Sequence, residues 1–589
     1  MSGKGRTGSR LAARFFFCFF SCFVSCWTLV FCLPAPAQEA EPERDSGWQL
    51  HAAAVGRRAM VASANHLATE AALEILALGG NAIDAAIAAQ FVLNLVEPQS
   101  SGIGGGGFLL YYDAAARRVT AYDGRETAPA AARPDRFSGA DGAPLAWREA
   151  LAGGRSIGVP GLVALLGLVH QRHASLRWER LLRPALRLAE EGFPVSPRLH
   201  RLLQSDPLLR GDVAARRLYY GEDGAALAVG APLKNPQLAG TLRRLADSGA
   251  AAFYAPDMAR AIAAAVASRR DGDLSEADLR GYRAQVRRPV CARYRGYRVC
   301  GMPPPSSGGV SLLQILGILE HRRFAQLPPL SPPAVHDFAE AGRLAYADRQ
   351  HYLADPDFVA VPVQQLLDPD YLDRRASLIV DGRSMGRAVA GVVPGAARGE
   401  NSSPERPGTT HLSIVDAAGN AVALTSSIES AFGSRLMVGG FLLNNQLTDF
   451  SFLPGRDGRL VANRVEAGKR PLSSMAPTLV FDRRDRLYAV LGSAGGTRII
   501  NDVAQTLTAL IDWRLAADAA VALPHYGSRN GPTELEQGRL PPAMADALRD
   551  WGHRIEWLEM NSGVHLIVRQ GDHWTGAADP RREGSARGY

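Results

Sequence analysis

The residues with the clearest chemical potential lie in PERPGTTHLSIVD, residues 404–416, where Gly408 and Thr409 precede an apolar alternation. A threonine hydroxyl is a poor nucleophile and needs a base close at hand. If the bond between Gly408 and Thr409 is cut, the new α-amine, with a pKa of about 8, lies on the same residue as the hydroxyl. One residue would then supply both nucleophile and base, although Gly-Thr-Thr by itself is more often an ordinary strand start.

Length and composition are those of an ordinary globular protein. The chain has 589 residues, of which 47% are hydrophobic and 21% charged, so a packed core is expected, in one large fold or in several domains. Four of the +8 net charges come from Lys4, Arg6, Arg10 and Arg14, which leaves +4 for the remainder. This excess is scattered along the chain, so we predict no nucleic-acid partner.

The amino terminus has the three parts of a secretory signal. A basic start is followed by an apolar run over residues 15–33 and by the small-residue pattern APA at residues 35–37. We therefore predict a signal peptide over residues 1–37, export to the periplasm or beyond, and no membrane association after its removal. An uncleaved anchor is the alternative, because the apolar run approaches the length of a spanning helix.

Removal of that segment leaves Cys291 and Cys300 as the only cysteines. In VCARYRGYRVC, a turn at Arg295-Gly296 would pair Tyr294 with Tyr297 and place the two cysteines opposite each other in a non-hydrogen-bonded pair. Such a pair suits a disulfide, and export permits one, but two free thiols remain an open alternative. Since HExxH and CxxC spacings are absent, we predict no metal and no cofactor.

The first half of the chain reads mainly as helices. Two helical patterns over residues 66–96 meet at Gly79-Gly80, and the second opens with Asn81 as its cap. The glycines of SGIGGGGF, residues 101–108, match GxGxxG, but a helix precedes them and a strand follows, which is the reverse of a dinucleotide site. Amphipathic helices are predicted over residues 160–290.

The second half changes to strands. Residues 382–408 are rich in Gly, Pro, Ser and Arg without apolar periodicity, which predicts an exposed flexible segment that leads into Thr409. Beyond it, period-two strands recur, with a helix near residues 497–513. Strands flanked by helices predict a layered α+β fold.

Eight blocks give the chain a specific resemblance to the γ-glutamyltranspeptidase family of N-terminal nucleophile hydrolases, over about residues 55–589: GGNAIDAAIAAQFVLNLVEPQSSGIGGGGF, DGRETAP, MPPPSSGG, GTTHLSIVD, GFLLNNQLTDF, KRPLSSMAPT, GSAGGTRII and GAADPR. The resemblance implies a four-layer αββα sandwich and a precursor that cuts itself between Gly408 and Thr409. The products would be a large subunit of residues 38–408 and a small subunit of residues 409–589, entwined as a heterodimer in one fold. The implied reaction transfers a γ-glutamyl group from glutathione or a related compound to threonine, then to water, an amino acid or a peptide.

The resemblance also implies how the substrate head, with its carboxylate and ammonium, is bound. Arg125 in DGRETAP corresponds to the arginine that grips the α-carboxylate, a task suited to a bidentate guanidinium. Ser473 and Ser474 in PLSSM would add donors. Asp449 in NNQLTDF would accept from the ammonium, assisted by Gln446.

The remaining positions would act on the reacting carbonyl. Gly495 and Gly496 in SAGGT match backbone donors of an oxyanion hole. Ser427, one strand away, would align Thr409. Glu429 stands where many relatives have Asn, and we interpret it as a further acceptor for the ammonium, although a changed acyl specificity would also account for it.

Two further features bear on specificity. The segment 451–472 is short and has no tyrosine, whereas some relatives carry a longer lid there, so we expect an open active site. Two other functions compete with γ-glutamyl transfer: an N-terminal-threonine amidase of the glutaryl or cephalosporin acylase type, and an exported amino-acid-binding protein without catalysis.

Overall fold

The structure is a computed structural model that describes residues 46–396, 398–401, 403 and 408–589. The predicted signal peptide, residues 1–37, lies outside the described residues, as does the start of the predicted large subunit. Within the described ranges, no helix combines the length and the apolar character that crossing a bilayer requires.

Strands and helices alternate along the chain. The strands are β1 (Ala54–Gly56), β2 (Met60–Ser63), β3 (Gly106–Asp113), β4 (Arg118–Gly124), β5 (Phe193–Pro194), β6 (Pro232–Leu233), β7 (Gln285–Arg287), β8 (Val290–Tyr294), β9 (Tyr297–Gly301), β10 (Thr409–Val415), β11 (Ala421–Ser427), β12 (Met437–Val438), β13 (Phe441–Leu442), β14 (Gly455–Arg456), β15 (Arg459–Leu460), β16 (Thr478–Phe481), β17 (Leu487–Gly492), β18 (Tyr526–Gly527), β19 (Thr533–Glu536), β20 (Ile555–Leu558), β21 (His565–Gln570), β22 (His573–Ala578) and β23 (Ser585–Gly588). The α-helices are α1 (His66–Ala77), α2 (Ala82–Val96), α3 (Trp147–Ala152), α4 (Leu162–His173), α5 (Trp178–Glu191), α6 (Pro197–Ser205), α7 (Val213–Tyr219), α8 (Pro236–Ser248), α9 (Pro256–Ala267), α10 (Glu276–Gly281), α11 (Gly308–Glu320), α12 (Pro332–Tyr352), α13 (Val363–Leu366), α14 (Pro369–Ala376), α15 (Ile499–Ile511), α16 (Ala517–Val521) and α17 (Pro542–Asp550).

Two seven-stranded antiparallel sheets form the centre of the molecule. The first has the order β1-β22-β21-β17-β16-β9-β8, and the second has the order β23-β2-β10-β11-β3-β4-β7. Strand β10 lies inside the second sheet, between β2 and β11. Both sheets combine strands from before and after Gly408.

Alternating side chains divide these sheets between two hydrophobic cores. In β3, Phe108 and Leu110 belong to the core shared by both sheets with α11, α12 and α15, whereas Leu109 and Tyr111 belong to the core beneath α1, α2, α4 and α5. Strands β10 and β11 contact β17 across the gap between the sheets. The layers are therefore helix, sheet, sheet and helix, held by side chains whose burial contributes roughly 1.5–3 kcal/mol each.

The predicted helix pair before the glycine-rich turn is confirmed. Helix α1 ends before Gly79, and α2 begins after Asn81, whose side chain accepts from the amides of Ile83 and Asp84 in a capping box. All residues of α2 are buried, as its nearly uniform apolar character predicts. The turn after α2 leads into β3, so the rejection of a dinucleotide-binding arrangement is also confirmed.

The cysteine hairpin has the predicted register. Strands β8 and β9 pair Tyr294 with Tyr297 and Cys291 with Cys300, across a turn at Arg295-Gly296. The two cysteines form a disulfide, with a Cα–Cα distance of 4.1 Å. Of the two alternatives that the sequence left open, the structure has the bridged one.

The segment before Gly408 differs from its prediction as a wholly exposed stretch. Val389 and Val392 are 81% and 87% exposed, but Ala388, Val393 and Ala396 are buried. The backbone of Gly391 also bonds to α12, donating to Asp348 and accepting from Tyr352. Periodicity failed to reveal these contacts because they come from scattered residues of an irregular segment.

Candidate functional site

Thr409 is the first residue of β10 and is buried at the end of a central strand. The residue before it is confined by its surroundings, because a Cβ added at Gly408 would lie 1.8 Å from the carbonyl oxygen of Glu429. No side chain fits there without moving the backbone. The glycine before Thr409 is therefore a steric requirement of this site.

Ser427 contacts the bond between Gly408 and Thr409. It lies opposite Thr409 in the β10–β11 pair, and its hydroxyl donates to the carbonyl oxygen of Gly408 at 2.5 Å. The amide of Glu429 in turn donates to the Ser427 hydroxyl oxygen at 2.8 Å. This bond directs the serine proton at the carbonyl that a self-cleavage reaction would attack.

A single pocket brings together almost all of the predicted site residues. Its cavity volume is about 20 Å³. Its lining comprises Arg125, Thr409, Ser427, Glu429, Gln446, Asp449, Ser473, Ser474, Met475, Gly496 and Ile499. Of the predicted site residues, Gly408 and Gly495 are outside the lining, and each adjoins a residue that belongs to it, Thr409 and Gly496 respectively.

Charged and amide groups of opposite character meet on one wall of this pocket. The Nη2 of Arg125 donates to Oδ2 of Asp449 at 2.6 Å and to the carbonyl of Leu472 at 2.8 Å. The Nε2 of Gln446 donates to the same Asp449 oxygen at 2.7 Å. Asp449 and Gln446 share a 3₁₀ turn, so their side chains are fixed relative to each other.

Two polar atoms of this wall have no hydrogen-bond partner among the described residues. One is a donor, Nη1 of Arg125, which lies 3.7 Å from a carboxylate oxygen of Glu126. The other is an acceptor, Oε1 of Gln446. Because unpaired buried polar groups are costly, their presence marks a place where a bound molecule can supply the missing bonds.

Glu429 occupies an unusual backbone conformation beside Gly408. Its φ of 78° is in the left-handed region, which Asn adopts more readily than Glu. Its carboxylate accepts from the amide of Asn445 at 2.5 Å. Strained backbone of this kind often accompanies functional sites.

The two serines of PLSSM are held by the proline-rich segment before α11. The hydroxyl of Ser307 donates to the carbonyl of Ser473, and the amide of Met475 donates to the Ser473 hydroxyl. Arg349 of α12 donates to the Ser474 hydroxyl at 2.8 Å. Both hydroxyls are therefore oriented by bonds that their oxygens accept.

The glycine pair precedes a helix that points its amino terminus at the pocket. Gly495 and Gly496 have φ values of 136° and 62°, which other residues rarely adopt. The 3₁₀ turn Gly496–Arg498 leads directly into α15. The positive end of the helix dipole therefore faces the pocket, where it favours negative charge.

Two charged residues near the site were missed by the sequence analysis. Glu126 adjoins Arg125 and is fully buried, and desolvation raises its pKa to about 8. Arg582 donates to the carbonyl oxygen of Thr409 at 3.1 Å. The position of Glu126 beside Arg125 in DGRETAP was an available signal, whereas Arg582 offered none.

One described set of side chains has the composition of a metal site, away from this pocket. Ligand atoms of His336, Glu340 and His553 lie within 4.8 Å of one another. Nδ1 of His336 is bonded to Nε2 of His553 at 2.8 Å, and Arg343 pairs with Glu340. These bonds already satisfy the facing nitrogens, and the buried arginine disfavours a cation, so we assign no metal there.

Known proteins resemble this chain along most of its length. A family profile described as Gamma-glutamyltranspeptidase matches residues 68–589. The Glutathione hydrolase proenzyme of Bacillus subtilis (strain 168) is 36% identical over 547 residues, which cover 91% of this chain and 92% of the relative. The Acylase ACY 1 proenzyme of Pseudomonas sp. (strain SE83) is 35% identical over 543 residues, covering 90% and 94%.

A solved structure has the same architecture. The cephalosporin acylase from Bacillus halodurans superposes with a TM-score of 0.80 at 26% identity, covering 92% of this chain and 97% of its own. The predicted four-layer α+β fold of the N-terminal nucleophile hydrolase type is thereby confirmed.

Proposed function

Because this chain belongs to the γ-glutamyltranspeptidase family, we propose that it is a γ-glutamyltransferase and glutathione hydrolase that cuts itself between Gly408 and Thr409. The observation that carries the proposal is the joint placement of Thr409, Arg125 and Asp449 in one pocket. Both relatives are named proenzymes, which agrees with processing, and the name of the Bacillus subtilis relative, a glutathione hydrolase, agrees with the proposed activity.

Self-cleavage begins at the Gly408 carbonyl. The Thr409 hydroxyl oxygen attacks that carbon, the carbon–nitrogen bond breaks, and the nitrogen takes up the hydroxyl proton. Water then cleaves the resulting ester, which gives the Gly408 carboxylate and restores the Thr409 hydroxyl. The Ser427 proton, already bonded to the carbonyl oxygen, stabilises the negative charge that develops there.

Turnover uses the groups that the cut creates. The free α-amine of Thr409 accepts the hydroxyl proton while the oxygen attacks the γ-carbonyl of the donor. The amides of Gly495 and Gly496, with the dipole of α15, stabilise the oxyanion. The leaving amine takes the proton, and the threonine ester then passes its γ-glutamyl group to water or to an amino acid or peptide.

The pocket suits the zwitterionic head of a γ-glutamyl group. The head's carboxylate bonds to Arg125, with Ser473 and Ser474 as added donors, while its ammonium bonds to Asp449, Gln446 and the carboxylate of Glu429. The open donor of Arg125 and the open acceptor of Gln446 support this polarity.

We further propose a maturation route. A signal peptide over residues 1–37 directs export, and the cut yields a large subunit, residues 38–408, and a small subunit, residues 409–589, that stay together as a heterodimer. The mixed strand origins of both sheets support such a pair. Periplasmic or secreted residence follows from the signal.

The acylase function is the second candidate, because an acylase is among the relatives and among the structures with the same fold. A glutaryl group lacks the ammonium, so Asp449 and Glu429 would face an uncharged chain at a desolvation cost. The ammonium of a γ-glutamyl group, in contrast, provides a partner for both carboxylates.

Two measurements test the proposal. Intact mass and amino-terminal sequencing of active protein should give a small chain that begins Thr-Thr-His-Leu, whereas active protein with an uncut chain would overturn self-cleavage. Hydrolysis of γ-glutamyl-p-nitroanilide should exceed that of the matched glutaryl anilide. Faster glutaryl cleavage would assign the chain to the acylases, and binding of glutamate without turnover would favour a binding protein.

A further inference from the structure

Arg582 is a buried charge whose side chain ends at the residue proposed as the nucleophile. It lies in the link from β22 to β23 and is 2% exposed. Its Nη1 donates to the carbonyl oxygen of Thr409 at 3.1 Å, and its Nε donates to Oδ1 of Asn561 at 2.9 Å. A Cβ on Gly563 would lie 3.0 Å from the Arg582 side chain, so the loop packs closely against it.

The strand order explains why a side chain reaches this carbonyl. Strand β2 pairs with β10 only from Leu412 to Val415, so Thr409 extends beyond the end of β2. In an extended strand, the nitrogen and the carbonyl oxygen of one residue face the same neighbour. The nitrogen of Thr409 therefore faces the side on which the Arg582 guanidinium lies.

We propose that Arg582 is a positioning residue that keeps the α-amine of cleaved Thr409 neutral and able to accept a proton, an inference that rests on the self-cleavage proposed above. An α-amine has an ordinary pKa of about 8, so much of it would be protonated and inactive near neutral pH. Arg582 remains charged at every working pH, and a nearby cation disfavours the ammonium form. The hydrogen bond to the Thr409 carbonyl fixes the distance over which this effect acts.

The opposing charge is Glu429. Its backbone packs against Gly408 and its side chain lines the same pocket as Thr409, so its carboxylate favours the ammonium. Asp449 acts in the same direction, but its charge is largely balanced by Arg125 at 2.6 Å. Arg582 therefore offsets the effect of the Glu429 carboxylate on the α-amine of Thr409. A neutral residue at position 429 would not require this compensation.

The other titratable groups around this end of β10 do not supply the positive charge that Arg582 provides near the Thr409 amine. Burial lowers the pKa of both His411 and His565, to about 3 for His565, so both are neutral near pH 7. The remaining charged groups near the link and the glycine turn engage other protein groups, and they are Glu97, Arg198, Arg498, Asp502, Asp579, Arg581 and Glu583.

The experiment measures the acid limb of kcat/KM with γ-glutamyl-p-nitroanilide for the cleaved enzyme. Arg582→Gln should raise the apparent pKa of this limb by about one unit, and Arg582→Lys, which keeps the charge, should restore most of the shift. Glu429→Gln should lower it, and combining Glu429→Gln with Arg582→Gln should return it toward the wild-type value. Arg587→Gln, which removes an exposed arginine of β23, should leave the limb unchanged.

If the cleaved Arg582→Gln enzyme has the same apparent pKa as the wild type in the acid limb of kcat/KM, the proposal is overturned. If that variant stays uncut, the wild-type enzyme still decides: the α-amine, titrated by pH-dependent acetylation of Thr409, should have a pKa below about 8. A value at or above 8 would contradict the role of Arg582. Active wild-type protein without a free Thr409 amine would instead refute the self-cleavage itself, so the two failures are distinguishable.

Discussion

Arg125 and Arg581 are both almost fully buried, at 1% and 0% exposure, yet they use their hydrogen bonds differently. Every side-chain nitrogen of Arg581 donates to a protein acceptor: Glu536, Asp579 and the carbonyls of Val521 and Leu523. Arg125 also bonds to a carboxylate and two carbonyls, but its Nη1 has no hydrogen-bond partner among the described residues.

The difference separates a charge that holds the fold together from one that, in the proposed function, binds a ligand. A buried guanidinium with all donors satisfied has nothing left to offer a substrate, and its removal leaves buried carboxylates without a cation. A guanidinium with an open donor beside an acid in a pocket can accommodate a second carboxylate. Burial alone therefore does not distinguish these two arginines, whereas the open donor of Arg125 next to the pocket does.

The largest effect is expected at the proposed nucleophile of the pocket, Thr409. Thr409→Ala should leave the chain uncut and reduce γ-glutamyl-p-nitroanilide hydrolysis by at least about 10³-fold with little change in Tm, since nucleophile and base are removed together. Denaturing gels, intact mass and thermal melting measure this. Thr410→Val is the matched control, because the Thr410 hydroxyl is buried without a partner among described residues and its loss should be neutral. A cut, active Thr409→Ala protein would contradict the assignment.

Arg581→Met tests the other arm of the comparison. Removing the cation leaves the buried carboxylates of Glu536 and Asp579 without the guanidinium that both share, so the free energy of unfolding should fall by about 3–5 kcal/mol. The KM of the protein that still folds should be unchanged, because Arg581 does not line the pocket. Denaturant unfolding and steady-state kinetics measure the two effects. An increase in KM with unchanged stability would contradict a purely structural role of Arg581.

Arg125→Lys should have the opposite signature. Lysine keeps the charge but loses the planar fork, so kcat/KM should fall about 10- to 100-fold, mainly through KM. The Tm should move little, since the pocket wall retains a cation beside Asp449. A large loss of Tm with normal kinetics would show that Arg125, like Arg581, is structural.

The smallest effect concerns Glu126, whose pKa burial raises from 4.5 to about 8. The unfolded chain releases the Glu126 proton near pH 4.5, whereas the folded protein holds it up to about pH 8. The stability that this bound proton contributes is complete below pH 4.5 and is lost as the pH rises through about 8. Glu126→Gln mimics the protonated form and lacks this dependence. The Tm of the wild type minus that of the variant should therefore fall between pH 5 and pH 8.5, and a constant difference would contradict the buried, protonated state.

Local patterns were enough to predict several parts of the fold. The Asn81 cap, the all-apolar α2 and the hairpin register of Cys291 and Cys300 depend on residues close together in the sequence. The period-two alternation likewise predicted β10 from Leu412 and Ile414. The assembly of the site residues, in contrast, was predicted only from the resemblance to a family. Local patterns could not predict it, because Arg125 and Asp449 are 324 positions apart.

What escaped prediction depends on long-range packing. The sequence gives no indication that Arg582 reaches the Thr409 carbonyl, because this requires β2 to end before Thr409. The raised pKa of Glu126 arises from complete burial, which its polar neighbours in DGRETAP do not suggest. The bond from the Val393 amide to Tyr352 similarly requires α12 to lie beneath an irregular segment.

The position of β2 has a consequence for how the two chains stay together after the cut and for whether they can refold. This strand, from before Gly408, is bordered on both sides by β10 and β23, which come from after it. A cut between Gly408 and Thr409 breaks none of these pairings, so dilution would not release the pieces while the sheets persist. Renaturation, however, would become a second-order encounter of two chains, so the cut form would depend on slow unfolding for its longevity rather than on ready recovery.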